Sequence, residues 1–232
     1  MQPIGIATIG QSPRDDVVPG MRAVWGKDLP VLQRGGLDDL TASQLQALEP
    51  ETDAILVSRL RDGSEIRMDS AAGEEMLWGA VKHLAEAGAD PIVILCTGAR
   101  PVPVATGRVI WPRELFPRMI RGLSAGPVGV MVPDRRQEIA AGDLFREYCS
   151  EVFTASASPY GFAEDRDAFG DVAAFFARHH VEVIAMNCMG YDAEMAAYIK
   201  ENSEVPAIPA SIVVAHATAL LVDSSQRRGR EE

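Results

Sequence analysis

The sequence has few cysteines, no surplus of positive charge and no long uninterrupted apolar run. It contains three cysteines among 232 residues, none in a CxxC or Cys/His cluster, so we expect neither a disulfide scaffold nor a metal site. The formal net charge is −11, which leaves no excess of Lys and Arg to neutralise phosphates. Nucleic acid and anionic membranes are therefore not expected partners.

Targeting and nucleotide-binding signals are also missing. The N-terminus passes from Met1 directly into a strand-like segment, without the charged and apolar regions of a secretory signal. The most apolar long stretch, residues 205–222, contains Pro206 and Pro209, which favours a buried strand and helix over a membrane span. Neither GxGxxG nor a P-loop pattern is present. We therefore expect a cytoplasmic protein without a cofactor.

Short apolar runs alternate with helix-like stretches along the whole chain. Continuous apolar strands separated by helices are typical of parallel sheets that are covered on both faces. The pattern repeats in the second half, because a strand followed by cysteine occurs at residues 91–96 and again at residues 181–188. We predict an α/β fold of two similar Rossmann-like lobes with a cleft between them. Ligands of such sheets bind beyond the carboxyl ends of the strands.

The expected lobe boundaries follow this repeat. Residues 1–120 form lobe 1, which is completed by residues 207–224, and residues 121–206 form lobe 2. Residues 225–232 are charged and are expected to be a disordered tail.

Three local features are predicted around the cleft. Ser12 is expected to cap a helix that begins at Pro13 and ends near Trp25. Asp62-Gly63 marks a hairpin turn. The proline-rich residues 100–118 are expected to form a loop over the cleft.

Cys96 and Cys188 are the leading candidates for chemistry. Each follows an apolar strand and precedes a glycine and a predicted helix, where backbone N–H groups and the helix dipole lower a thiol pKa. Two such thiols on opposite sides of a carbon could remove a proton from one face and return one to the other. The alternative is that both are small buried hydrophobic residues, and this is the expected role of Cys149, inside a helix pattern.

Two polar segments are candidates for substrate binding. Residues 8–14 combine a strand end, a glycine turn and a Ser-Pro helix start, which would offer free N–H groups to a carboxylate or phosphate. Arg14 could add a charged fork. Arg59 or Arg61, beyond the strand that ends at Ser58, could bind a carboxylate with two hydrogen bonds. The alternatives are a simple capped helix and a solvated hairpin.

Several segments of the sequence resemble a known family. Residues 92–99, with Cys188 late in the chain, resemble the aspartate/glutamate/hydantoin racemase superfamily. Within it, residues 6–14, 56–63 and 186–191 resemble the AroM family, and the resemblance covers nearly the whole chain. It implies two cysteines that face each other across a cleft between two α/β lobes. The sequence departs from the superfamily after Cys188, where Met189 and Gly190 stand in place of Thr and His.

We therefore expect a cofactor-independent racemase, epimerase or isomerase of a small carboxylate, such as an amino acid. Cys96 and Cys188 would be its base and acid. The expected substrate-binding residues are Thr8, Gly10, Ser12, Arg14, Ser58, Arg59, Thr97, Gly98, Met189 and Gly190. The resemblance also implies a homodimer. Two alternatives stay open: a decarboxylase or lyase on the same scaffold, and a small-molecule binding protein without catalytic activity.

Overall fold

A computed structural model describes residues 2–26, 29–102 and 107–228 of the chain, without the side chains of residues 223–228. The strands in these ranges are β1 (Ile4–Thr8), β2 (Val31–Gly35), β3 (Ile55–Arg59), β4 (Glu65–Asp69), β5 (Ile92–Ile94), β6 (Val109–Ile110), β7 (Val128–Val132), β8 (Val152–Ser156), β9 (Val183–Met186) and β10 (Ala207–Pro209). The α-helices are α1 (Val18–Trp25), α2 (Ala42–Gln46), α3 (Ser70–Glu86), α4 (Pro112–Leu123), α5 (Glu138–Arg146), α6 (Arg166–Arg178), α7 (Ala193–Ser203) and α8 (Ala210–Arg228).

Two parallel four-stranded sheets form the two lobes. Their strand orders are β2-β1-β5-β6 and β10-β9-β7-β8, and every pairing within them is parallel. The central strands β1 and β7 are buried along their whole length, as expected for apolar strands with helices on both faces. The predicted α/β fold with two similar lobes is confirmed.

The two lobes place their cysteines at equivalent points. In each lobe the first strand, β1 or β7, lies between the strand that follows it in sequence and the strand that precedes a cysteine, β5 or β9. The order in which the chain adds strands to each sheet therefore changes direction between β1 and β5 in the first sheet and between β7 and β9 in the second. Open α/β sheets bind ligands at such switch points, beyond the carboxyl ends of the strands.

A separate antiparallel hairpin covers the space between the lobes. Strands β3 and β4 pair with each other in a two-stranded sheet of their own. Gly63 in the connecting turn has a φ of +97°, a conformation that glycine adopts without strain. The predicted hairpin turn at Asp62-Gly63 is confirmed.

The last helix carries the chain back to the first lobe. Helix α8 packs on α1 and α4, and the Trp25 indole N–H donates to the Ala215 carbonyl at 3.2 Å. Strand β10 belongs to the second sheet, so this return begins at Ala210 and not at residue 207. The helix continues to Arg228, past the expected start of the tail at residue 225, and residues 229–232 lie outside the described residues.

Two local predictions were wrong. Helix α1 begins at Val18 and not at Pro13, because the Ser12 hydroxyl bonds Asp38 at 2.7 Å and caps no helix. Residues 107–118 are not a loop, since they contain β6 and the start of α4. Pro112 fits the first turn of α4 because its missing N–H would have no partner there. Residues 103–106 of the expected loop lie outside the described residues.

A membrane span requires a helix that is both long and strongly apolar. Across the ranges that the structure covers, no helix is both long and apolar enough to cross a bilayer.

Candidate active site

Cys96 and Cys188 line one narrow gap between the lobes. Each follows the carboxyl end of its strand, and residues from β3 and Tyr160 complete the wall. The gap has a volume of about 20 Å³, which is room for about one water molecule. Both cysteines are buried, at 9% and 8% exposure. The structure therefore brings the two predicted catalytic residues to a single, nearly closed site.

Burial dominates the ionisation of Cys96. It raises the pKa of the thiol to about 11, although the N–H groups of Gly98 and Ala99 hydrogen-bond to the sulfur and act to lower it. Glu74 raises this pKa further, and the charge of Arg113 acts in the opposite direction. Because thiolate is the charged form, removal from water disfavours it more than two N–H groups favour it.

Cys188 behaves in the same way. Burial raises its pKa to about 12, and the Gly190 N–H that approaches its sulfur at 3.4 Å only partly offsets this. The charge of Cys96 raises it as well, so ionisation of one thiol disfavours ionisation of the other. The prediction of lowered thiol pKa values was wrong in its net sign, and both residues are thiols at neutral pH in this closed form.

A hydrogen bond joins the two strand ends across the gap. The Thr97 hydroxyl, next to Cys96, donates to the Asn187 carbonyl, next to Cys188, at 2.9 Å. Both residues are buried. This bond closes the gap from one side and ties the two cysteine-bearing segments together.

A larger cavity adjoins the gap. Its volume is about 170 Å³, and it shares five lining residues with the gap: Leu56, Thr97, Gly98, Gln137 and Asn187. Charged side chains line its other walls, among them Glu74, Arg100 and Arg113. The Arg100 side chain is 74% exposed, so this cavity reaches the surface and provides a route toward the cysteines.

In the turn after β1, the backbone N–H groups that were expected to bind an anion are already bonded to protein acceptors. The N–H of Gly10 donates to the Ser58 hydroxyl at 2.9 Å, that of Gln11 to the Arg59 carbonyl at 3.1 Å, and that of Ser12 to Asp38 at 2.7 Å. The protein itself fills the positions in which a carboxylate or phosphate was expected.

Arg14 is likewise held by protein groups. Its guanidinium, 2% exposed, donates to Thr8 at 2.9 Å, to both oxygens of Asp16 at 2.8 and 2.7 Å, and to the Tyr160 hydroxyl at 3.3 Å. Burial acts to raise the pKa of Asp16, but Arg14 and Arg59 bring it below its ordinary value. Arg14 therefore connects the β1 turn to a wall of the gap and is not a free anion-binding fork.

The predicted binding residues thus divide into two groups. Thr97, Gly98 and Met189 line the gap. Gly190 lies just behind it, where an added Cβ would be 2.9 Å from the Tyr160 hydroxyl. The remaining predicted residues are not among those that line the gap: Thr8, Gly10, Ser12, Arg14, Ser58 and Arg59. Direct contact between these six residues and a substrate stays a prediction.

Sequence reasoning missed four residues of this site. Tyr160 and Gln137 follow the carboxyl ends of β8 and β7, and Asn187 follows β9 directly. The rule that ligands bind beyond strand ends would have pointed to these three. Arg113, on α4, carries no local signal in the sequence. In the described ranges no three His, Cys, Asp or Glu residues come together as metal ligands.

Several solved structures of racemases have a similar architecture. An allantoin racemase from Klebsiella pneumoniae superposes with a TM-score of 0.65 at 15% identity, covering 97% of this chain and 89% of that one. A glutamate racemase from Francisella tularensis in complex with D-glutamate gives 0.64 at 14%, covering 97% and 82%. The aspartate racemase of Picrophilus torridus gives 0.62 at 13%, covering 97% and 95%. At these identities the likeness establishes the fold.

Sequence comparisons give the family. A search of curated protein sequences found no match. The family model described as AroM protein matches residues 4–222, nearly the whole chain and both cysteine-bearing strand ends. The protein belongs to the AroM family, and its two lobes have the fold of the aspartate, glutamate and allantoin racemases.

Proposed function

We propose that this protein is a cofactor-independent racemase, epimerase or isomerase that acts on a small carboxylate, an amino acid or a related compound. One observation carries the proposal: Cys96 and Cys188, at equivalent strand ends of the two lobes, line the same gap. The shared fold with racemases of aspartate, glutamate and allantoin supports the same reaction class.

The chemical step needs one thiolate and one thiol. The thiolate takes the proton from the carbon next to the carboxylate, so a C–H bond breaks, an S–H bond forms and the electron pair moves into the carboxylate as an enolate. The opposite thiol then gives its proton to the other face of that carbon and becomes the thiolate. The configuration is inverted, and no electron is gained or lost.

Substrate entry requires a more open form. The gap holds about one water molecule in its present form, so a small carboxylate fits only if the lobes or the β3–β4 hairpin move apart. Opening also hydrates the thiols, which lowers the cost of forming a thiolate. In this proposal Thr97, Gly98 and Met189 contact the substrate, and the Arg14 network holds the wall behind Cys188.

A second candidate is a decarboxylase or lyase on the same scaffold. Because burial raises the pKa of both thiols, to about 11 and about 12, each is a proton donor at neutral pH. A reaction in which carbon dioxide leaves and a single thiol protonates the remaining carbanion would need no thiolate at the start. The raised pKa values are the specific observation that favours this candidate.

The test compares three cysteine variants on one substrate panel. The full chain is incubated with each enantiomer of aspartate, N-carbamoylaspartate, glutamate and allantoin, and optical activity and carbon dioxide release are followed. We expect loss of optical activity with at least one substrate, a fall of several orders of magnitude in Cys96→Ser and in Cys188→Ser, and no change in Cys149→Ser. Cys149 is buried three residues beyond the end of α5 and does not line the gap, so it is the matched control.

Other results would reject the two-thiol mechanism or favour a different function. Near-normal turnover in either Cys96→Ser or Cys188→Ser rejects the two-thiol mechanism. Carbon dioxide release without racemisation favours the decarboxylase, and binding without any turnover favours a non-catalytic role. We also retain a cytoplasmic location and a homodimer as expectations, the second of which sedimentation measures directly.

A further inference from the structure

Gln137 has a buried side-chain oxygen without a hydrogen-bond donor. It is the only side-chain nitrogen or oxygen of this kind in the described ranges. The Nε2 group of Gln137 donates to the Ile55 carbonyl at 3.3 Å, so the remaining atom is the acceptor oxygen. A buried acceptor without a partner loses its hydrogen bonds to water and gains none in return. Such an atom is explained if a ligand supplies the donor.

The position of Gln137 indicates which ligand. It lines both the cysteine gap and the larger cavity beside it, so the residue lies at the junction between the two, on the route of a substrate to the thiols. A group bonded to the carbon between the sulfurs would come close to this junction. That group must carry a hydrogen that it can donate.

The charge of the surroundings favours a neutral donor. Among the residues that the structure describes, no carboxylate lines the gap. Glu74, on the larger cavity, accepts from the backbone N–H of Arg100 at 3.0 Å and is paired with the guanidinium of the same residue at 3.9 Å, and Asp53 lies within the field of Arg136. An ammonium group at the junction would lose its water without gaining a free counter-charge, which is costly. An amide or ureido N–H can donate to Gln137 without that cost.

Arg113, which also lines the larger cavity, offers a positive charge to a ligand. It is half-buried, and its guanidinium donates to the Gly98 carbonyl at 3.3 Å. No carboxylate of the described residues forms an ion pair with it. Its charge acts on Cys96, so it lies near the reacting groups. A half-buried guanidinium with unused donors is suited to a substrate carboxylate.

We infer that Gln137 and Arg113 set the substrate specificity of this site: Gln137 accepts from a neutral N–H beside the reacting carbon, and Arg113 binds a carboxylate. The substrate is then an N-acyl or N-carbamoyl carboxylate rather than a free amino acid. The inference rests on the proposed function and narrows its substrate class.

Binding to the full chain tests this without turnover. Calorimetry with N-carbamoyl-L-aspartate and with L-aspartate measures the two affinities for each variant. We expect the wild type to bind the carbamoyl compound at least about 10-fold more tightly, and Gln137→Leu to remove about that factor for the carbamoyl compound alone. Gln137→Glu, of equal size but charged, should reverse the preference toward the free ammonium. Arg113→Gln should weaken both ligands, and Gln46→Leu, on exposed α2, neither.

The outcomes separate this inference from the proposed function. Equal or weaker binding of the carbamoyl compound by the wild type overturns the inference, as does absence of binding by both compounds. An unchanged ratio in both Gln137 variants overturns it too, and Gln137→Glu decides if Gln137→Leu does not fold. If the preference holds but no substrate is racemised, the recognition stands and the racemase proposal fails.

Discussion

The turn after β1 and the gap at the ends of β5 and β9 are both polar, buried and close to each other, yet they differ in how their groups are used. In the turn, the N–H groups of Gly10, Gln11 and Ser12 and the guanidinium of Arg14 all bond to protein acceptors. In the gap, two thiols line one small space and the Gln137 oxygen has no donor.

This difference separates structural polar groups from candidate functional ones. A polar group that is satisfied within the chain stabilises the fold, because its hydrogen bonds replace those it made with water. A group that is buried and left unsatisfied is costly, and the cost is recovered only when a ligand is bound. The comparison predicts that changes in the turn mainly affect stability and changes in the gap mainly affect activity.

The largest effect on stability is expected at Arg14. Arg14→Gln leaves Asp16, whose side chain is only 20% exposed, without its main partner, and breaking such a buried pair costs about 3–5 kcal/mol. Urea unfolding measures the loss. Arg118→Gln is the control, because Arg118 is half-exposed and pairs with Glu114 on the surface of α4, where a pair contributes about 0.5 kcal/mol. Equal losses in the two variants would show that the turn network stabilises the fold no more than a surface pair does.

A smaller effect is expected at Gly10. A Cβ at this position would be 2.2 Å from the Arg59 carbonyl oxygen, so Gly10→Ala must push the hairpin strand away from the turn, at about 1–3 kcal/mol. Gly20→Ala is the matched control, since a Cβ there meets no atom within 4 Å and alanine favours the helix. The two unfolding curves should shift in opposite directions. A shift of both in the same direction would show that the turn is not tightly packed.

The smallest of these effects concerns the thiols and alkaline pH. Burial raises the pKa of Cys96 from 9.0 to about 11, so the unfolded chain releases this proton at lower pH than the folded one. Stability contributed by the neutral thiol is therefore complete below pH 9 and is lost as the pH rises above it. Between pH 8 and pH 10 the free energy of unfolding should fall by about 1 kcal/mol per thiol, and less in Cys96→Ser. Parallel pH profiles of wild type and variant would contradict the burial of this thiol.

Much of the fold follows from sequence patterns. Apolar strands such as β1, β7 and β9 have no polar face, which predicts parallel sheets covered by helices, and the repeated strand-then-cysteine pattern predicts the second lobe. The start of α1 could not be predicted in this way. Ser12 has the residue type of a helix cap, but Asp38, 26 positions later, binds its hydroxyl, and a tertiary contact of this kind leaves no local signal.

The site was predictable in its centre and not in its surroundings. The positions of Cys96 and Cys188 at strand ends placed both at the switch points. Their pKa values were predicted with the wrong sign, because the lowering by N–H groups is a local property and burial is a property of the whole fold. The contact between Arg14 and Tyr160 was missed for the same reason, since the two residues are 146 positions apart.

The isotope content of the product tests the two-thiol claim most directly. Wild-type protein is incubated in deuterium oxide with the L enantiomer of the substrate that it turns over fastest in the panel, and both enantiomers are analysed by mass spectrometry at early times. If Cys96 and Cys188 act on opposite faces, the D product carries one solvent deuterium at the reacting carbon while the remaining L substrate carries none. Deuterium appearing equally fast in the L substrate would show that a single group removes and returns the proton, which contradicts a mechanism with one thiol on each face.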